Sequence, residues 1–149
     1  MEAILFVGLQ GAGKSTFYKE RFFLTHVRIS LDLLKTRHRE QRLLRMCLDT
    51  KQPLVVDNTN PAKSDREPYI AAAKQAGFRV IGYYFQSRVE DCYQRNMQRS
   101  QEQQIPFLGL LGTAKRLQVP SYDEGFDELH YVRISEDGQF VVEEWLDEI

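Results

Sequence analysis

The sequence predicts an α/β domain with three layers: a five-stranded, mostly parallel sheet covered by helices on both faces, a small lid, and an antiparallel edge strand at the C-terminal end. Three observations predict it. Short apolar runs alternate with amphipathic stretches along the chain. The first apolar run ends in a glycine-rich loop that leads directly into a helical pattern. The length, 149 residues, suits a single domain over 1–149 that buries its core without disulfide or metal support.

The elements follow in order. Residues 3–7 are apolar and closed by Gly8, the pattern of a buried strand. A helix is expected over about 14–23 and a second strand over 26–29. Residues 32–50 predict one long helix, with Leu33, Leu34, Leu43, Leu44, Cys47 and Leu48 toward a core and Lys35, Arg39, Arg42 and Arg45 in water. Residues 54–56 form a third strand that ends at Asp57. Asn60-Pro61 reads as a helix entry, and that helix runs to Gln75 with Gly77 as its terminator. Pro68 predicts that the regular helix starts only near Glu67. Residues 79–85 give a fourth strand, 89–101 a polar helix, and 102–125 an irregular or weakly helical stretch. Residues 131–134 form a fifth strand, and Asp137-Gly138 turns the chain into 140–142, the edge strand.

Composition narrows the function classes. Hydrophobic residues are 42% and charged residues 28%, which excludes a disordered, collagen-like or disulfide-scaffold chain. No apolar run approaches a membrane span, and the N-terminal residues lack the basic region of a signal peptide, so no membrane association is expected. The two cysteines, Cys47 and Cys92, form no C-x-x-C pair; this suits a reducing, cytoplasmic location and argues against structural zinc. Residues 1–119 carry nineteen Lys/Arg against eleven Asp/Glu, whereas residues 120–149 carry Arg133 and ten acids. Such a split fits a cationic working surface beside an acidic segment, or simply a solvated charged face with an acidic edge element.

The strongest motif is Gly8-Leu-Gln-Gly11-Ala12-Gly13-Lys14-Ser15-Thr16, a G-x-x-x-x-G-K-[ST] phosphate loop in its required place between strand and helix. Glycines let the backbone turn and approach phosphate closely, and the helix N-terminus adds an anion site. Gly8, Gly11, Ala12, Gly13, Lys14, Ser15 and Thr16 are therefore the expected nucleotide-binding set. Lys14 would sit at the β- and γ-phosphates, Ser15 on Mg²⁺ and Thr16 at the α-phosphate. Asp57, at the end of an apolar strand, is the expected second oxygen donor to Mg²⁺, directly or through water. The cofactors expected are thus a nucleoside triphosphate and Mg²⁺. No guanine-specifying N-K-x-D motif is present, and the length leaves no room for the helical domain and arginine-finger assembly of a ring ATPase. A small ATP-dependent kinase fits best.

Asp32 follows the second strand, where it can take a proton from an acceptor hydroxyl, or cap the helix it opens. Arg95 and Arg99, four residues apart, would project from one helix face, either as a basic lid over the transferring phosphoryl group or as solvated charge.

These residues together resemble the kinase module of the polynucleotide 5′-hydroxyl kinase family. The resemblance spans about 3–126 and rests on the loop 8–16, Ile29-Ser-Leu-Asp32, Val55-Val-Asp57-Asn-Thr-Asn60-Pro61, Arg95-Asn-Met-Gln-Arg99, Ile105-Pro106 and Pro120…Glu124-Gly-Phe126. The Asp-Asn-Thr-Asn-Pro run is its most specific part. It implies that Asp32 is the general base for a 5′-hydroxyl, that Lys35 holds the substrate's 3′-phosphate, that Asp57 is the essential acid, and that Arg99, with Arg95 beside it, contacts the phosphates. It further implies a 5′-OH DNA or RNA end as the acceptor, a role in nucleic acid repair, and repair or ligase modules as partners. Two departures stand out. Leu31 replaces the arginine usual before the base, and Pro68 stands where the animal enzyme has a DNA-contacting arginine. Arg39 and Arg42, with Lys35, begin a basic cluster one turn after Asp32 that can supply phosphate contacts in compensation. The alternatives are a kinase for a small-molecule or tRNA-linked hydroxyl, and an ATP-binding switch or subunit without phosphotransfer, which would need no acceptor base.

Overall fold

The structure, a computed structural model, describes residues 1–146. Asp147 and Glu148, the last two acids of the anticipated acidic segment, lie outside the described residues. The chain runs β1 (Glu2–Val7), α1 (Lys14–Arg21), β2 (Val27–Ile29), α2 (Leu31–Leu34), α3 (Arg37–Asp49), β3 (Leu54–Val56), α4 (Lys63–Gln75), β4 (Arg79–Phe85), α5 (Val89–Met97), α6 (Phe107–Arg116), a 3-10 turn (Tyr122–Glu124), β5 (Glu128–Ile134) and β6 (Phe140–Glu144).

The sheet has the order β2-β3-β1-β4-β5-β6. Its first five members are parallel, and β6 returns antiparallel to β5 as the edge strand that the Asp137-Gly138 turn predicts. β1 is the point of divergence. From it the chain goes to β2 and β3 on one side, then crosses to β4 on the other. Ligands of such sheets bind at the carboxyl ends of the strands beside this switch point.

β1 shows why the sheet is covered on both faces. Ala3 and Leu5 face one core with Leu48 of α3, Leu54 and Val56 of β3, Ile70 of α4 and Phe78 just before β4. Ile4 and Phe6 face the other with Phe17, Phe22, Phe85 and Leu110, from α1, β4 and α6. Phe6, Phe17 and Phe85 meet edge to face at 5.0–5.8 Å between ring centroids, the arrangement aromatic quadrupoles prefer.

Several boundaries differ from the sequence expectation; α5 ends at Met97 rather than 101, and β5 begins at Glu128 rather than 131. The single helix over 32–50 is two helices, because Lys35 adopts φ 73° and Thr36 caps α3, its hydroxyl accepting the Arg39 N–H at 3.2 Å. Asp32 is accordingly not a cap: Ser30 holds the N-cap position of α2, and Asp32 lies within its first turn. Helix α4 begins at Lys63, ahead of Pro68, with the Asp65 carboxylate accepting the Ala62 N–H at 3.0 Å. The missing Pro68 N–H deprives only Ser64 of a helical bond, close to the helix start. Residues 102–125 contain a regular ten-residue helix, α6, despite Gly109 and Gly112.

One ion pair fixes the turn after β3. Arg66 is fully buried, 0% exposed, and grips Glu124 at both ends, Nε to Oε1 at 2.7 Å and Nη2 to Oε2 at 3.0 Å. Its Nη1 donates to the carbonyls of Asn60 at 2.9 Å and Pro61 at 3.1 Å. Removing one partner of such a pair leaves an uncompensated buried charge, so Glu124→Ala should destabilise by about 3–5 kcal/mol. Urea denaturation of the variant checks this; a loss below about 1 kcal/mol would show that the pair is not the clamp described.

Candidate active site

The phosphate loop connects β1 to α1 at the carboxyl edge of the sheet. Gly11 and Gly13 have φ of 83° and 98°, conformations that favour glycine. A side chain at Gly11 would also collide with the Cys92 carbonyl of α5, so the lid helix packs directly on the loop. Arg95 holds that contact, its Nη1 donating to the Gly11 carbonyl at 3.2 Å. The Ala12 N–H closes the turn onto the Leu9 carbonyl at 3.1 Å, and the first α-helical bond is Phe17 N–H to Gly13 at 2.9 Å. The N–H groups of Lys14, Ser15 and Thr16 precede that bond and form the helix's anion-binding end.

Lys14 is buried among the loop carbonyls, its Nζ donating to Leu9 at 2.7 Å and Gly8 at 3.0 Å. Burial pushes its amine down to about 8. The negative charges of Asp57 and Asp32 oppose that shift, and the positive charge of Arg99 adds to it. Asp57, Asp32 and Arg99, from three separate segments, thus all act on one amine. Arg99 is not on a common helical face with Arg95, because α5 ends at Met97. It sits past the helix end, its carbonyl held by Gln104 Nε2 at 2.9 Å.

Ser15 and Asp57 meet: the Ser15 hydroxyl donates to Asp57 Oδ2 at 3.0 Å. Two hard oxygen donors at the start of α1 suit Mg²⁺, which takes one or two protein oxygens and completes its octahedron with phosphate and water. Among the described residues no cluster of three or more His, Cys, Asp or Glu offers an all-protein metal cage. The sequence reading missed Arg28 here. From the middle of β2 its Nε donates to Asp57 Oδ2 at 2.8 Å and its Nη2 to Ser15 Oγ at 3.0 Å. The available signal was a charged residue between Val27 and Ile29 in a strand otherwise expected to be buried.

On the other side of β3, Asn58 faces the turn that carries Asp32. Its Oδ1 accepts the Leu31 N–H at 2.9 Å, and its Nδ2 donates to Glu40 Oε2 at 2.9 Å. Glu40 is buried and also accepts from the Tyr69 hydroxyl at 2.6 Å and Arg37 Nη1 at 3.0 Å. Burial, with the bond to Glu40, raises the Tyr69 hydroxyl well above its ordinary pKa. Glu40 was legible in principle: it lies on the stripe of Leu43, Leu44 and Cys47, where a carboxylate must be paired. Asp32, Lys35 and Arg42 are not buried, and Lys35 and Arg42 have no partner carboxylate among the described residues. Arg39 bends back to the Leu34 carbonyl at 3.3 Å, and Arg45 pairs with Asp49 at 3.7 Å.

The Lys14 environment sets a pH dependence. Bound phosphate charge raises the amine pKa again, so the full attraction for a nucleotide is present below about pH 8. Above it, binding must recruit a proton, and ADP affinity should fall by about tenfold per pH unit. Calorimetric titration with ADP across this range checks it, with Lys14→Met as the control that should flatten the profile.

Comparison with known proteins places this geometry in context. The family model described as an AAA domain (AAA_33) matches residues 4–118, which contain the loop, Asp57 and the lid. A bifunctional polynucleotide phosphatase/kinase of Schizosaccharomyces pombe is 27% identical over 135 residues, covering 88% of this chain and 33% of that one. The chain therefore spans about a third of the length of that relative. A gluconokinase from Sinorhizobium meliloti 1021 superimposes with a TM-score of 0.63 at 16% identity, over 91% of this chain and 83% of its own. Chaetomium thermophilum Kti12, solved in complex with ADP-AlF3, does so with a TM-score of 0.65 at 17% identity, over 92% and 90%. At these identities the two solved structures speak for the fold alone. Among the described residues no helix is long and apolar enough to cross a membrane. The chain is a P-loop kinase-like nucleotide-binding domain and belongs to the AAA domain family that its residues 4–118 match.

Proposed function

We propose that the chain transfers the γ-phosphoryl group of ATP to a hydroxyl, and that the acceptor is the 5′-OH end of DNA or RNA. The observation that carries phosphotransfer is a phosphate loop whose Ser15 hydroxyl meets Asp57, together with the adjoining turn that presents Asp32. A plain ATPase or a switch needs the first; only a kinase needs a carboxylate on the acceptor side, held in place by the Asn58 contact to Leu31.

Lys14 leaves the loop carbonyls for the β- and γ-phosphate oxygens. Asp32 takes the proton of the acceptor hydroxyl while that oxygen bonds to the γ-phosphorus, and ADP leaves with the electron pair of the broken P–O bond. Arg99, and Arg95 beside the loop, face the charge that spreads over the equatorial oxygens. Mg²⁺, held by Ser15 and Asp57, would supply further neutralisation of the β- and γ-oxygens.

Two observations support the nucleic-acid acceptor. The curated relative is a polynucleotide phosphatase/kinase. Lys35 and Arg42, on the segment that follows Asp32, are exposed and carry no partner carboxylate among the described residues, so both charges are available to acceptor phosphates. A small-molecule acceptor is favoured by a different observation. Arg37, Arg39 and Arg45 have partners within the protein, which thins the basic surface, and the gluconokinase shares the fold.

Labelled ATP offered with a 5′-OH oligonucleotide or with simple sugars separates the two; label on the sugar but not the oligonucleotide would decide against the nucleic-acid reading. In the productive assay Asp32→Asn should cut transfer by roughly 10²-fold or more with ADP binding intact. Normal transfer by that variant would remove Asp32 from the role of general base and leave the transfer to be driven by the phosphate side alone. With an oligonucleotide acceptor, Arg42→Glu should raise KM and lower the log–log salt slope by about 0.7–0.9 for each phosphate it no longer neutralises. An unchanged slope would assign Arg42 to plain solvent exposure.

A further inference from the structure

Arg28 occupies an unexpected place. It is the central residue of the three-residue strand β2, and its guanidinium closes a ring of three hydrogen bonds with the two groups suited to Mg²⁺. Arg28 Nε reaches Asp57 Oδ2 at 2.8 Å, Arg28 Nη2 reaches Ser15 Oγ at 3.0 Å, and Ser15 Oγ reaches Asp57 Oδ2 at 3.0 Å. The Ser15 hydroxyl donates its single proton to Asp57, so Arg28 bonds to a lone pair of the serine oxygen. That lone pair is what a metal ion would take.

We propose that Arg28 is a resident cation that Mg²⁺ must displace, and that it sets the Mg²⁺ concentration at which this chain takes up a metal–nucleotide complex. A guanidinium within hydrogen-bond distance of both oxygens and a divalent ion on the same oxygens repel each other at close range, so the two exchange rather than coexist. Burial explains why a resident cation is there. The Asp57 side chain is 1% exposed, and a carboxylate so desolvated needs a counter-charge. The Arg28 side chain is 25% exposed, which gives the displaced guanidinium a path to water on its flexible stem. Displacement forfeits a charge-assisted pair of bonds, so the wild-type chain needs more Mg²⁺ than a variant without the guanidinium.

The inference rests on metal–nucleotide binding and is independent of which hydroxyl is the acceptor. The test uses the full chain and a fluorescent ADP analogue at fixed concentration, with anisotropy read along a Mg²⁺ titration. Arg28→Met should move the Mg²⁺ midpoint about tenfold lower, the size of one charge-assisted hydrogen bond. Arg28→Lys, which keeps a charge but loses the two-point grip, should fall between and serves if Arg28→Met does not fold. An unshifted or higher midpoint in these variants overturns the inference and makes Arg28 a permanent brace of Asp57. A wild-type chain that binds the analogue at no Mg²⁺ concentration overturns it together with the nucleotide reading. Failure to phosphorylate any acceptor, with the midpoint shift present, overturns the proposed function alone.

Discussion

A buried carboxylate at the end of a strand organises the site. β3 delivers Asp57 to a position that is almost fully closed to water, where an unpartnered charge would cost several kcal/mol. Its partners come from both neighbours in the sheet order β2-β3-β1: Arg28 from β2, and Ser15 from the helix that follows β1. Register makes this possible. Ile29 stands opposite Val56, and the Asp57 N–H continues the ladder to the Ile29 carbonyl at 2.8 Å. A slip of one residue would turn Arg28 to the other face and strand the carboxylate. Sheet pairing and site chemistry therefore stabilise each other.

The next three residues extend that hub. Asn58 turns toward the acceptor side and holds the Leu31 N–H. The Thr59 carbonyl accepts the Gly8 N–H at 3.0 Å, which ties the start of the phosphate loop. Asn60 takes φ 45°, a left-handed conformation that asparagine tolerates, and its Nδ2 reaches the Phe6 carbonyl of β1 at 2.8 Å. Arg66 then fastens the Asn60-Pro61 carbonyls from below. The run Asp-Asn-Thr-Asn-Pro thus has a physical reason for its Asp and both Asn side chains, with Thr59 acting through its backbone: one segment joins the phosphate side, the acceptor side and the central strand.

Much of this architecture was legible because hydrophobic runs mark a buried parallel strand strongly; β3 and β4 have the bounds their apolar runs imply. What stayed hidden was mostly charge turned inward. Arg28, Glu40 and Arg66 were given no role from the sequence, because single-residue chemistry favours water and only tertiary partners make their burial tolerable. The break at Lys35–Thr36 was missed for a different reason. The apolar period continues through it, so only the local capping power of Thr36 betrays two helices. Helix α6 was obscured by its glycines, whose propensity cost is outweighed by burial of Leu110 against the core. For the site, the loop residues and Asp57 were legible from pattern, whereas the Asp32 turn depends on Asn58 and Glu40, whose meeting no linear spacing reveals.

The uneven charge along the chain gains a structural meaning from the ion pairs. Lys74 meets Asp127 at 3.1 Å and Arg79 meets Glu128 at 2.8 Å, both at the amino edge of the sheet, where β5 begins. The Val80 N–H and then Lys74 hold the Asp127 carboxyl below its usual range. Arg66 takes Glu124 in the buried clamp, and Glu143 takes Arg133 within the β5–β6 hairpin. Three acids of the segment, Glu124, Asp127 and Glu128, are therefore internal counter-charges laid on α4 and β4. Lys14, Arg28, Arg95 and Arg99, by contrast, gather at the carboxyl edge around the phosphate loop. Within a net charge of −1 these cations stand where a polyphosphate would enter, and such local charge draws anions in and weakens with salt.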